Sequence, residues 1–276
     1  MKKYFQGKVI LITGGGAGLG RALSLEMARC GARLHVLDLS TDKAIDTKEW
    51  IIREGGSVRF HKADVTDFAH FSQLIDAIYE SDGRIDVLIN NAGINITGEA
   101  RDMQKEHWYN PLNINLMGTV NAISLVYPRM VGQGSGQIVN IASMAGLAPI
   151  PLISPYVASK FAVVGLTRSL RLEAEGLGIK INLVCPGRLN TSILESSDIL
   201  KVNREEFMKQ IPFAPMPLPA AVKKIIRGMI ANKPMIIFPG YVRWLWWADR
   251  YLPFVLKPFY RYSLIKYRKL RTENFV

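Results

Sequence analysis

Lys8-Val9-Ile10-Leu11-Ile12-Thr13-Gly14-Gly15-Gly16-Ala17-Gly18-Leu19-Gly20 decides how the rest of the chain is read. The unbroken apolar run fits a strand buried on both faces. Helix-forming Arg21–Arg29 follows the glycines directly. A strand, a glycine turn and a helix start make a phosphate cradle. The glycines let a ligand approach the backbone, and the helix N-terminus offers free N–H groups and partial positive charge. The spacing is T-G-x-x-x-G-x-G and not G-x-G-x-x-G, because position 19 is Leu. A merely flexible glycine loop is the alternative, and the flanking strand and helix weigh against it. Thr13, Gly14, Gly16, Gly18, Leu19 and Gly20 are thus candidate dinucleotide contacts.

Downstream the pattern repeats. Arg33–Leu37 reads as a second strand with Asp38 at its end. An acid there accepts hydrogen bonds from ribose hydroxyls and repels a 2′-phosphate, which favours NAD(H) over NADP(H); a helix-capping role for Asp38 is the alternative. A helix over Asp42–Glu54 leads to strand Ser57–His61. Asp64-Val65 follows, with Asp64 read equally as an adenine contact or as the cap of a helix from Asp67 to Glu80. Strand Asp86–Asn90 ends in Asn91-Ala92-Gly93, small and amide residues that let a ligand lie against the backbone. One long helix is expected from Met103 to Met130, kinked at Pro111. It carries Asn115, a poor helix former in need of a reason. Strand Gly136–Ala142 ends at Ser143. Strand Ile179–Val184 runs into Cys185-Pro186-Gly187, with Thr191 just beyond. Cys185 reads as a small packed residue. Prolines and mixed charges over 192–218 read as a mobile substrate lid. Helix Ala220–Asn232 and strand Met235–Phe238 complete the series.

Seven strands alternating with helices predict an α/β fold: a doubly wound Rossmann-type parallel sheet, helices on both faces, in a single domain. That domain is expected over 1–240, with an aromatic and basic extension over 241–276.

Ser154-Pro155-Tyr156-Val157-Ala158-Ser159-Lys160 is where chemistry is expected. Ser154 is read as a helix cap and Pro155 as the first helical residue. Tyr156 and Lys160 then share one helix face. A neighbouring ammonium should lower the tyrosine's pKa and prepare it for proton transfer. Taken alone, such a pair occurs by chance on surface helices.

The 276 residues are 49% hydrophobic and 21% charged, with a net charge of +12 and a pI near 9.7. This is globular, not disordered, composition. Cys30 and Cys185 form no metal or redox spacing and point to a reducing compartment. The four histidines lack the close spacing of a metal site. No signal peptide and no membrane-spanning apolar stretch are read, so a cytoplasmic location is expected, with association at the cytoplasmic membrane face open.

Together these motifs resemble the short-chain dehydrogenase/reductase family over about Gly7 to Phe238. Thr13–Gly20 is similar to its cofactor turn, Asn90–Gly93 to its N-N-A-G motif and Asn115 to its helix asparagine. Ser143, thirteen residues before Tyr156, matches the catalytic serine, Tyr156 and Lys160 the Y-x-x-x-K pair, and Pro186-Gly187 with Thr191 the P-G-x-x-x-T segment. The resemblance implies four catalytic residues. Tyr156 moves the proton, Lys160 tunes it and binds the nicotinamide ribose, Ser143 polarises the substrate oxygen, and Asn115 holds a water linked to Lys160. It also implies a homo-oligomer, dimer or tetramer. The activity implied is alcohol–carbonyl interconversion with NAD(H). A 3-oxoacyl-thioester reductase and a non-catalytic dinucleotide-binding regulator are the alternatives.

Outside the resemblance, residues 241–271 carry Trp244, Trp246 and Trp247 and eight Lys/Arg against Asp249 alone. Rings interleaved with cations suit an anionic membrane interface as well as they suit packing on protein. Pro253 and Pro258 are expected to break the segment, and nucleic acid is not expected as a partner. With the apolar loop Met144–Ile153 (Leu147, Ile150 and Ile153, beside Ser143 and Tyr156), the tail predicts a small lipophilic alcohol or ketone as substrate.

Overall fold

The computed structural model describes residues 1–191, 193 and 197–271. Seven parallel strands form its centre: β1 (Val9–Thr13), β2 (Arg33–Asp38), β3 (Ser57–Lys62), β4 (Val87–Asn90), β5 (Gly136–Ile141), β6 (Ile179–Pro186) and β7 (Met235–Phe238). They lie in the order 3-2-1-4-5-6-7. The direction of winding reverses between β1 and β4, which opens a crevice at the carboxyl ends of these strands. Besides short helices at Lys2–Phe5 and Arg204–Gln210, the helices are α1 (Gly18–Arg29), α2 (Thr41–Arg53), α3 (Phe68–Asp82), α4 (Lys105–Leu112), α5 (Gly118–Gly132), α6 (Ser154–Glu173), α7 (Leu218–Ile230), α8 (Gly240–Tyr251) and α9 (Pro253–Lys269).

Both faces of the sheet are covered, as the uninterrupted apolar strands require. Ile10 and Ile12 of β1 pack with Leu23 and Met27 of α1 and Ile225 and Met229 of α7. Val9 and Leu11 turn the other way, onto Phe71 and Ile75 of α3 and Val126 and Met130 of α5. Each such side chain contributes about 1.5–3 kcal/mol by leaving water. The doubly wound fold read from the sequence is therefore the fold observed.

Several local expectations are corrected. Ile153 and not Ser154 is the cap of α6, because the Ile153 carbonyl already accepts from Val157 N at 2.9 Å; Ser154 and Pro155 sit inside the first turn. Asp67 caps α3, accepting from His70 N at 3.0 Å. Asp64 bonds Thr66 N and Oγ1 instead, at 2.8 and 2.7 Å. The single helix expected over 103–130 is interrupted by a π-helical turn, Asn113–Met117, between α4 and α5. Pro253 starts α9 and Pro258 lies within it, so of the two expected breaks only the one at Pro253 is present.

Candidate active site

A cleft of about 800 Å³ runs from the glycine turn to the C-terminal helices. Its walls include Gly14, Gly18 and Leu19, Asp38, Asp64 and Val65, then Asn91, Ala92 and Gly93. Ser143, Tyr156 and Lys160 lie along it, as do Pro186, Gly187 and Thr191. Thr13, Gly16 and Gly20 stand behind the wall. Thr13 Oγ1 accepts from Asn91 N and Ala92 N, both at 3.1 Å, and so locks β1 to β4. Asn91 Nδ2 donates to Gly14 O at 2.8 Å. A Cβ on Gly20 would sit 2.1 Å from Gly14 O. Gly14 and Gly18 have φ of +62° and +52°, a region costly for other residues. The turn thus leaves its backbone bare beside the start of α1, the form a pyrophosphate requires, and a dinucleotide fits the residues present. Asp38 accepts from Gly16 N at 2.9 Å and Ser40 N at 3.0 Å, at the cleft wall.

The π turn explains Asn115. One extra residue in the helical repeat directs this fully buried side chain toward β4, a use that π turns often serve at functional sites. Its Oδ1 accepts from Ile94 N at 2.8 Å, and its Nδ2 donates to Ile94 O at 3.0 Å and to Ser159 Oγ at 2.9 Å. Ser159 in turn donates to Tyr156 O at 2.7 Å. The amide thus clamps the strand end to the Tyr156 helix. Ser159 was missed in the sequence because it reads as an ordinary small helix residue.

Electrostatics also differ from expectation. Burial raises the Tyr156 pKa, with a hydrogen bond from Ser143 opposing it. Lys160 Nζ donates to Ile141 O at 2.9 Å and stands over the Tyr156 ring, 5.6 Å from the centroid. Burial brings the Lys160 pKa down to about 8, because low dielectric disfavours the ammonium. Cys185 is fully buried, its thiol pushed up to about 12 by desolvation, so it is packing and not a nucleophile.

Beyond Tyr156 the cleft is apolar. Ile150 and Ile153 line it, but Leu147 does not; it is buried among Ala142, Val163 and Leu183. The far wall comes from the tail: Trp246, Phe259, Tyr260, Tyr262 and Tyr267. Tyr241 ties this wall to the site. Its hydroxyl accepts from Arg188 N at 2.9 Å, and its ring stacks on Phe213, with centroids 4.3 Å apart. A Cβ on Gly187 would meet that hydroxyl at 2.3 Å. The sequence showed these aromatics but not that they enclose the cleft.

Fold and cleft define an α/β protein of the doubly wound, dinucleotide-binding class. The profile of the short chain dehydrogenase family matches residues 8–199, and the chain belongs to this family of oxidoreductases. It is 37% identical over 207 residues to an uncharacterized oxidoreductase of Thermotoga maritima, covering 75% of this chain and 82% of that one. It is 34% identical to the 3-oxoacyl-acyl-carrier-protein reductase of the same organism, covering 83% and 92%. Among solved structures, levodione reductase superposes with a TM-score of 0.77 at 31% identity, over 86% of this chain and 97% of that one.

Proposed function

We propose that this chain is an NAD(H)-dependent oxidoreductase interconverting a lipophilic alcohol and its ketone or aldehyde. The observation that carries this reading is that Ser143, Tyr156 and Lys160 line one cleft where the glycine cradle meets an apolar cavity. The relatives' names support carbonyl chemistry: one reduces a 3-oxoacyl chain, another levodione. The bound dinucleotide would supply or accept the hydride. Gly14, Gly18 and Leu19 would hold its pyrophosphate, Asp38 its adenosine ribose, and Gly93, Lys160 and Pro186 its nicotinamide end. The Asp38 carboxylate supports NAD(H), since a 2′-phosphate beside it would be repelled. Tyr156 as the phenol, the form burial favours, donates a proton to a carbonyl oxygen in reduction, and as the phenolate it takes one from the alcohol in oxidation. Ser143 orients that oxygen and polarises it. Lys160 hydrogen-bonds Ile141 O and so fixes the floor beneath the phenol.

The test is a panel of alcohols and ketones of rising apolar size, followed through NADH absorbance, with Tyr156→Phe beside the parent. Turnover should fall by about 10²–10⁴-fold in the variant, while NADH still binds by fluorescence. Full activity in Tyr156→Phe would end the assignment. Lys209 and Lys266 on the cleft wall favour one second reading, reduction of a 3-oxoacyl thioester on an acidic carrier. Adding such a thioester to the panel decides between them.

A further inference from the structure

We propose that the outer face of α8 and α9 is a docking surface for an anionic lipid bilayer, and that the substrate cleft opens onto it. The proposal rests on the reading that the substrate is lipophilic. On α8, Arg243, Trp244, Trp247, Arg250 and Tyr251 are all exposed and recur every three or four residues, so they share one face. The opposite face, Val242, Leu245 and Ala248, is buried against the body of the protein. On α9 the exposed set continues with Phe254, Lys257, Arg261, Tyr262 and Ile265 around a buried Leu256 and Tyr267. Trp244, Trp247, Tyr251, Phe254 and Tyr262 are each more than half exposed, an unusual concentration of large rings in water.

Charge selects the occupant. Arg243, Arg250, Lys257, Arg261 and Lys269 are exposed and make no ion pair among the described residues. Asp249 is the one acid on the two helices, and it is drawn partly inward, its pKa raised by burial. A second copy of this chain would bring the same cations face to face, and like charges across an interface oppose association. A bilayer with anionic headgroups meets both features at once: it neutralises the cations and takes the rings at headgroup depth.

The cleft gives this surface a purpose. Phe259 and Tyr262 are both exposed on the tail and part of the cleft wall, so the opening lies at the edge of the aromatic face. A lipophilic alcohol dissolved in the bilayer would reach Tyr156 along Phe259, Tyr260 and Ile153 without first entering water.

The experiment is flotation of the full chain with phosphatidylcholine vesicles containing roughly one-third phosphatidylglycerol, and with phosphatidylcholine vesicles alone. Tryptophan emission is read in parallel. The parent should float with the anionic vesicles only, lose binding as salt rises, and shift its emission to the blue. Trp244→Ser/Trp247→Ser/Tyr251→Ser and Arg243→Gln/Arg250→Gln/Lys257→Gln should each weaken partitioning at least about tenfold. None of the six lines the cleft, so turnover of a water-soluble alcohol should persist. That control separates a failure of the surface from a failure of the enzymatic reading. No flotation of the parent, or flotation of both variants like the parent, would overturn the proposal. So would a dimer in light scattering that the aromatic variant alone dissociates, since the face would then bind its own kind.

Discussion

Asp38 and Lys160 show how far single residues set the chemistry. Lys160 is buried in the cleft wall, and burial brings its pKa down to about 8, which costs it part of its charge near neutrality. An anionic cofactor beside it would favour the ammonium again. Asp38 is simpler: a carboxylate at the end of β2, engaged by two backbone N–H groups. A phosphate near it would feel repulsion of about 4 kcal/mol at an effective dielectric of 20, before screening. Asp38→Asn keeps an acceptor for Gly16 N and removes the charge. The ratio of kcat/KM for NADPH over NADH should rise by about tenfold or more, since 1.4 kcal/mol of relieved repulsion already gives that factor. An unchanged ratio in paired assays would remove Asp38 from cofactor selection.

At the scale of elements, a polar cluster joins β2, β3 and α3. Asp82 accepts from His35 Nε2 at 3.1 Å, which leaves Nδ1 to accept from His61 Nε2 at 2.9 Å. Arg33 and Arg59 also reach Asp82, at 2.9 and 3.3 Å. Both imidazoles are neutral in this network. Burial lowers the pKa of His35 and takes His61 to about 4, from an ordinary 6.5. Between those values the unfolded chain binds protons that the folded chain refuses, so stability falls as pH drops from about 6.5 toward 4. The melting temperature should decline over that window, and His61→Gln should flatten the decline. An identical slope in the variant would show that other groups govern acid sensitivity. This cluster, the Asn115–Ser159 clamp and the Tyr241–Gly187 contact were not legible in the sequence. Each joins residues more than 20 positions apart, and none leaves a spacing signal. Thr13–Gly20, Asp38, Ser143 and Tyr156 were legible because each acts at a strand end or on one helix turn, where local spacing fixes position. Leu147 misled for the same reason: apolar composition marks a loop as greasy without saying which side chains turn inward.

At the scale of the whole molecule, the tail completes the cleft, and a charge network holds it there. Asp102 takes Arg271 in two hydrogen bonds of 2.5 and 2.9 Å, and both side chains are almost fully buried. Glu99 pairs with Arg101 and Arg268, each at 2.5 Å, and reaches Arg271 at 3.5 Å. Tyr267, buried beside them, donates to Leu200 O at 2.5 Å and so fastens α9 to the 197–218 segment. Removing one partner of a buried pair costs up to about 3–5 kcal/mol, and without Asp102 Arg271 would keep Glu99 at 3.5 Å but lose its two short hydrogen bonds. Asp102→Ala should therefore lower the melting temperature and open α9 to trypsin at its many Lys and Arg before the sheet unfolds. The glycine turn lies at the other end of the cleft from α9, so NADH binding should be preserved. KM for bulky apolar substrates should rise while that for small ones holds, because only the former need the wall of Phe259, Tyr260 and Tyr262. Limited proteolysis timed against NADH fluorescence tests the coupling. If the tail were cleaved and bulky substrates still turned over with their KM unchanged, the aromatic wall would have no part in binding them, and selection would fall to the rest of the cleft wall, Ile150 and Ile153 included.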